Sequence, residues 1–260
     1  MISVCVTTYN GEKFIREQLD SILSQLGLDD EVIISDDGST DGTLNILESY
    51  HDSRIKTFHH DSSSVTTTFP LDKPTHNFEF ALQQAEGDII FLSDQDDVWM
   101  EGKVETMLAE LKDAYFAVHD CVVVDDHMEN IIQPSYFDYI GIHQGVWKNW
   151  LKATYLGCCM AMRKEVVKRA MPFPKTMVGH DLWLGIIADR YFKTKIVKSK
   201  LIRYRKHINS KTTSGGKSKN TLWFKIKYRL TILMHIIKLY LYPDKCQQRE
   251  QVKLLNTIYK

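Results

Sequence analysis

The chain has 260 residues, 43% of them hydrophobic and 25% charged, and its formal net charge at pH 7 is zero. That balance excludes a disordered chain and leaves enough apolar material for one large or two small cores. The longest apolar stretch, Leu230 to Tyr242, is interrupted by His235 and Lys238 and falls short of the ~20 apolar residues that a bilayer span needs.

The neutrality hides an asymmetry. Residues 193–260 carry 18 Lys+Arg against 2 acids, whereas the first 192 carry 15 Lys+Arg against 31. An acidic body with a basic tail points to an anionic surface, membrane or nucleic acid, as partner of the tail. The five cysteines (Cys5, Cys121, Cys158, Cys159, Cys246) have no metal-binding spacing and read as reduced thiols of a cytosolic protein. No leader is expected at the N-terminus, because the chain already has strand character at Ser3.

Strand-like and helix-like runs alternate from the start. ISVCVTTY is a β-branched run that stops at the turn signal Asn10-Gly11. EKFIREQLDSILSQL repeats apolar residues at helical spacing. EVIIS is a short strand that ends in the polar loop DDGSTDGT, LNILESY reads as helix, and RIKTFHH reads as a third strand. DSSSVTTTFPLDKP has the composition of a long loop, either mobile or a lid. HNFEFALQQAEG reads as a helix stopped by Gly87, and DIIFLS as a fourth strand covered on both faces. This series predicts a parallel sheet flanked by helices. The second half is less regular. AYFAVHDCVVVDD reads as strand, GCCMAMRKEVVKRA as strand then helix, HDLWLGIIADRYF as helix and KIVKSKLIRYRKH as strand.

Ligands of such sheets bind beyond the carboxyl ends of the strands, and the polar clusters fall there: Thr7-Thr8-Tyr9-Asn10, Asp36-Asp37-Gly38-Ser39 and Asp94-Gln95-Asp96-Asp97. Three carboxylates within four positions after a buried strand repel one another unless a cation neutralises them, and hard divalent cations prefer oxygen ligands. A diphosphate is the natural companion of such an ion. Taken singly, Asp36-Asp37 read equally well as a turn and helix cap; their placement on the same rim argues for a nucleotide pocket. Tyr9 is suited to cover a base, and Asp37 to accept the imino N–H of uracil or thymine. Neither a GxGxxG nor a Walker A loop is present, so phosphates would be held by metal rather than by a glycine cradle.

SVCVTTYNGEKFIREQLDSILSQ, IISDDGSTDGT and AEGDIIFLSDQDDVW together resemble the family 2 glycosyltransferases over about residues 2 to 210. The resemblance implies the GT-A fold, a Rossmann-like, mostly parallel sheet flanked by helices. It implies a catalytic domain over residues 1–210, with a nucleotide-sugar-binding half (1–98) and an acceptor-binding half (99–210), followed by a tail over 211–260. It also implies Mn²⁺ or Mg²⁺ as cofactor, with Asp96 as the metal ligand and Asp94 near the ribose and sugar. Thr7, Tyr9 and Asp37 match residues of the nucleobase pocket, with Glu12 nearby. The DQDD variant is similar to that of bacterial rhamnosyltransferase-like members, which favours a dTDP-rhamnose donor, with a UDP-hexose open. In that family an acidic pair opening a late helix supplies the base of an inverting transfer, which puts Asp181 of VGHDLWLG in that role. His180 departs from the usual first acid of the pair. RYRKHINS resembles a further family element, in which Arg205 pairs with phosphate oxygens and His207 approaches the metal or the diphosphate. Trp99 is expected to pack against the acceptor half rather than stack on a sugar.

In the tail, Leu222, Ile226, Leu230, Leu233, Ile237 and Tyr240 make one helical stripe with interleaved Lys225, Lys227, Arg229 and Lys238. Such a helix either lies in the headgroup region of a membrane or docks on protein. A saccharide acceptor that is lipid-linked, as the family resemblance implies for surface polysaccharides, favours the inner face of the cell membrane; no nucleic-acid partner is expected. Two rival readings are a metal-dependent nucleotidyltransferase and a non-catalytic protein that uses its basic tail for binding.

Overall fold

A computed structural model describes residues 1–62, 69, 71–175, 178–206 and 221–241. The first half alternates as read: β1 (Ile2–Thr8), α1 (Ile15–Leu23), β2 (Glu31–Asp36), α2 (Thr43–Glu48), β3 (Ile55–His59), α3 (Asp72–Gln84) and β4 (Ile89–Asp94). The strands pair in the order β3-β2-β1-β4, all parallel. Val4, Cys5, Val6, Val32, Ile33, Ile34, Ile90, Phe91 and Leu92 are all fully buried, as expected where helices cover both faces of a parallel sheet.

Helix boundaries differ from the sequence pattern for local reasons. The Gly11 carbonyl accepts from the amides of Phe14 and Ile15, so Glu12 to Phe14 form a turn and α1 starts only at Ile15. Asp72-Lys73-Pro74 belong to α3 rather than to the preceding loop, because a proline in the first helical turn has no amide to lose. That helix ends before Gly87: the Glu86 amide turns to Glu31 Oε1 at 2.7 Å and the Gly87 amide to Ser3 Oγ at 2.7 Å. Most of the loop expected between β3 and α3 lies outside the described residues.

Beyond β4 come β5 (Val98–Trp99), α4 (Lys103–Glu110), β6 (Phe116–Val124), β7 (Ile131–Gln133), α5 (Tyr136–Ile140) and α6 (Val146–Leu151). They are followed by a 3₁₀ turn (Gly157–Cys159), β8 (Met160–Arg163), α7 (Lys164–Ala170), α8 (His180–Tyr191), β9 (Thr194–Arg205) and α9 (Leu222–Leu241). Here the sheet becomes mixed. β8 lies antiparallel between β4 and β6, β6 and β9 are parallel, and β5 and β7 pair antiparallel with β9 and β6. Trp99 is buried, and its strand pairs with β9 of the second half, Trp99 opposite Ile202. The four described cysteines are buried and free of disulfides.

The tail helix lies on the body. Ile232, Ile236 and Leu239 are buried, Trp150 Nε1 donates to the Arg229 carbonyl at 2.9 Å, and the Tyr191 hydroxyl donates to the Leu239 carbonyl at 3.1 Å. The stripe read from the sequence is not the docked one. Leu222, Ile226, Leu230, Ile237 and Tyr240 are exposed, as are Trp223, Met234 and Leu241. The helix is therefore apolar on two faces, one docked and one bare. No helix among the described residues is long and apolar enough to cross a membrane.

Candidate active site

The register of the parallel strands sets Asp94, Thr7 and Ser35 in one row across three strand ends, with Asp36 beside Thr8 one residue further on. The loops that follow are stitched together by short polar side chains. Asp36, fully buried, accepts from the Ser39 amide at 2.8 Å, the Gly38 amide at 3.1 Å and the Ser39 hydroxyl at 2.5 Å. Gly38 stands at φ +79°, a conformation that glycine adopts without a steric penalty. Asn10 Oδ1 accepts from the Thr40 amide at 2.8 Å and Glu12 Oε2 from the Gly42 amide at 2.9 Å. Glu12 thus ties the first loop to the second. Gln95, the second residue of DQDD, does the same between strands: its Oε1 accepts from the Thr8 hydroxyl at 2.7 Å and the Tyr9 amide at 2.8 Å, and its Nε2 donates to the Tyr9 carbonyl at 3.1 Å. The Tyr9 backbone is pinned while its residue stays 49% exposed.

Asp37 stands at the edge of this loop. Its Oδ1 meets His60 Nδ1 at 2.9 Å and the Ser62 amide at 3.1 Å, and its Oδ2 accepts from the Ser62 hydroxyl at 2.6 Å. Burial alone would raise its pKa, but the bonds from His60 and Ser62 outweigh it and hold the carboxyl below the ordinary range.

The carboxylates of the acidic cluster oppose one another's ionisation. Burial, then the charges of Asp96 and Asp181, push Asp94 up to about 7. Burial, then Asp96 and Asp94, push Asp97 well above the usual carboxylate range. One oxygen of Asp97 accepts from the Arg205 amide at 3.0 Å; the other, Oδ2, is buried with no hydrogen-bond partner among the described residues. Ligand atoms of Asp94, Asp97 and Cys158 lie within 4.8 Å of one another. Cys158 carries no sequence signal, and Asp97 none beyond its place among the three acids. The pattern fixes that three acids follow a strand, not which of them turns inward.

A cation lies near the cluster. Lys103, at the start of α4, is fully buried; its ammonium donates to the Cys158 carbonyl at 2.9 Å and sits 4.0 Å from the Trp99 ring centroid. Burial lowers its pKa to about 8, against the pull of the neighbouring thiols and Asp97. Nothing in the sequence distinguishes Lys103 from a surface lysine, the normal state of that residue.

Arg205 faces protein groups. It is 5% exposed; Nε donates to the Asp96 carbonyl at 2.8 Å, one terminal nitrogen to the Asp126 carbonyl at 2.5 Å, and the other to Glu17 Oε2 at 2.5 Å. The guanidinium also lies 4.7 Å from the Phe14 ring centroid. In this arrangement it fastens the end of β9 to the DQDD loop. His207 lies outside the described residues.

Asp181 enters from the second half, in the first turn of α8. Its Oδ1 accepts from the Leu182 amide at 2.7 Å, and its charge is felt at Asp94. The 3₁₀ turn is the joint: Cys158 reaches the acidic cluster, while a Cβ on Gly157 would lie 2.6 Å from His180 Nε2 and 3.8 Å from Asp181 Cβ. His180 itself is a packing residue. Its ring stacks on Phe78 with centroids 4.1 Å apart, its amide donates to Thr75 Oγ1 at 3.1 Å, and burial lowers its pKa.

The fold and the site together define an α/β enzyme of the GT-A type, with carboxylates from both halves on one rim. Residues 3–170 match glycosyl transferase family 2, and the chain belongs to that family. It is a glycosyltransferase. Among curated relatives, the dTDP-rhamnosyl transferase RfbG of Shigella flexneri is 26% identical, over 97% of this chain and 84% of that one. The UDP-Glc:alpha-D-GlcNAc-diphosphoundecaprenol beta-1,3-glucosyltransferase WfgD of Escherichia coli is 23% identical, over 73% and 70%. Among solved structures, residues 1–349 of S. aureus TarS in complex with UDP-GlcNAc share the fold with a TM-score of 0.66 at 20% identity. That match covers 88% of this chain and 65% of the TarS chain.

Proposed function

We propose that the protein moves a sugar from a nucleoside-diphosphate donor, dTDP-rhamnose or a UDP-hexose, to a hydroxyl of a lipid-linked saccharide acceptor, with inversion at the anomeric carbon. The observation that supports this reading is the convergence of Asp94 and Asp96 from one half with Asp181 from the other at the carboxyl ends of β1 and β4. Thr7, Tyr9 and Asp37 line the nucleotide side, with Glu12 bracing it. Uracil and thymine share the imino N–H that Asp37 would accept, in keeping with a uridine or thymidine donor. Asp181 takes the proton of the acceptor hydroxyl as its oxygen bonds to the anomeric carbon, and the bond from that carbon to the diphosphate breaks. General base catalysis of this kind is worth roughly 10²–10⁴-fold.

Mn²⁺ or Mg²⁺ is the proposed cofactor. The residues present fit it: clustered carboxylates whose mutual repulsion raises Asp94 and Asp97, with the Asp97 Oδ2 orphaned behind them. Hard cations take oxygen ligands, which favours half-buried Asp96 and Asp94 over the buried Cys158 thiol. When bound, the ion would supply positive charge against the departing diphosphate. Arg205 is proposed to hold the DQDD loop in place rather than to touch phosphate.

The bare face of α9 supports a seat on the inner face of the cell membrane, and hence a cytoplasmic location. Trp223, Ile226, Leu230, Met234, Ile237 and Leu241 recur every three or four residues and are exposed, and the helix holds four Lys+Arg and no acid. That pairing suits an anionic lipid surface. In flotation assays the protein should rise with phosphatidylglycerol vesicles and not with phosphatidylcholine vesicles, and a Leu230→Glu, Met234→Glu double variant should stay at the bottom. Equal flotation of that variant would remove the membrane reading.

Product analysis tests the reaction itself. Incubation with UDP-glucose, UDP-GlcNAc or dTDP-rhamnose and Mn²⁺ should release nucleoside diphosphate; release of pyrophosphate from nucleoside triphosphate and a sugar phosphate would instead mark a nucleotidyltransferase.

A further inference from the structure

We propose that the tail helix is a wall of the acceptor site, in which Phe224 and Tyr228 of α9 present an aromatic surface beside Asp181 that takes a sugar ring of the acceptor, with the Tyr228 hydroxyl as a hydrogen-bonding partner. This inference rests on the glycosyltransferase reading and adds a substrate-binding role for a helix outside the 3–170 family match.

Three pieces of chain converge there. Phe69, just before α3, packs against both tail aromatics, with centroids 5.9 Å from Phe224 and 5.3 Å from Tyr228. Two residues on, Leu71 Cδ1 lies 3.5 Å from where a Cβ on Gly179 would stand, and that same point is 2.6 Å from Asp181 Oδ1. The Thr75 hydroxyl of α3 then fastens the start of α8, accepting from the His180 amide at 3.1 Å and donating to the Val178 carbonyl at 3.3 Å. Phe69 therefore meets the tail aromatics and Leu71 the start of α8 beside the proposed base. Burial, and next the Asp181 charge, raise the Tyr228 pKa, which agrees with a phenol held near that carboxylate and protonated at neutral pH.

Tyr228 has what an acceptor ligand needs. It is half-buried, and its hydroxyl has no hydrogen-bond partner among the described residues. A fixed aromatic face beside a phenol hydroxyl suits a sugar, which has an apolar face and a rim of hydroxyls; sites of this kind pair apolar walls with a few placed polar atoms. The docked face of α9 runs from Phe224 and Tyr228 to Ile232, Ile236 and Leu239, and the bare face from Ile226 to Leu230, Met234 and Ile237. One helix thus lies between the surface proposed for lipid and the pocket proposed for the sugar that a lipid carries.

The test uses the full chain with a saturating donor, Mn²⁺ and octyl glycosides of N-acetylglucosamine, glucose and rhamnose as soluble acceptor probes. Tyr228→Phe should raise the acceptor KM by about three- to tenfold, the loss of one hydrogen bond, and Phe224→Ala should raise it by a similar factor. Donor KM should stay within twofold in both variants, and Phe224→Trp should restore the acceptor KM. Unchanged acceptor KM in both variants, or acceptor and donor KM that rise together, would overturn the proposal. So would an unmodified enzyme that hydrolyses its donor yet glycosylates none of the three probes. Absence of donor hydrolysis as well would fall instead on the glycosyltransferase reading.

Discussion

Asp181→Asn is expected to lower kcat for glycosyl transfer by about 10²–10⁴-fold while leaving donor KM within twofold. The substitution keeps size and shape, and the amide oxygen can still accept from the Leu182 amide as Asp181 Oδ1 does at 2.7 Å. What disappears is the basicity that draws the proton from the attacking hydroxyl. The donor side should not suffer, because Asp181 is one of the two charges that push Asp94 up to about 7. Removing it lets Asp94 ionise at lower pH. Initial rates at saturating acceptor, with donor affinity measured separately, check both halves of the expectation; a variant with full turnover would remove Asp181 from the role of base.

Asp96→Ala is expected to remove activity by more than about 100-fold, beyond what residues that merely orient a metal ligand typically cost, and at the same time to raise thermal stability. The two effects have one cause. The Asp96 charge raises both Asp94 and Asp97, so without a cation it repels its neighbours in the folded state, and its removal relieves that repulsion. The backbone of the loop should hold, because Arg205 Nε donates to the Asp96 carbonyl, which the substitution keeps. A higher melting temperature with lost turnover separates a functional charge from a structural one. A fall in both would mean that the carboxylate supports the fold.

The first half of the fold was legible because its signals are local. β1, β2 and β4 are short apolar runs that end in polar clusters, and burial on both sheet faces leaves them no other composition. Strand direction is not local. Met160–Arg163 reads as strand, but nothing in those four residues tells that they lie antiparallel to Ile89–Phe91. The burial of Lys103 on helix α4 is not local either, because its ammonium is held by the Cys158 carbonyl from a distant segment as well as by the nearby Trp99 ring.

At the site, residue types announced the chemistry and the fold decided orientation. DQDD was legible as a carboxylate cluster in need of a counter-charge. That Asp97 would turn inward to the Arg205 amide, and the Arg205 side chain would face Glu17 and two carbonyls, required the crossing of β9 past the loop, whereas the Gln95 clamp on Tyr9 follows from the pairing of β1 with β4. In the tail, apolar residues occupy most of the helix circumference, so helical periodicity alone cannot choose a docked face. Ile232, Ile236 and Leu239 form the docked face, where Trp150 and Tyr191 donate to the backbone carbonyls of Arg229 and Leu239.

Calorimetric titration of UDP and dTDP into the protein, with and without Mn²⁺, probes the role of the acidic rim most directly. The unmodified chain should give binding heat for at least one nucleotide that requires Mn²⁺, and Asp96→Ala should give none. Metal-dependent heat of equal size in the variant, or none in the unmodified chain, would contradict a rim built to hold a cation against two phosphates.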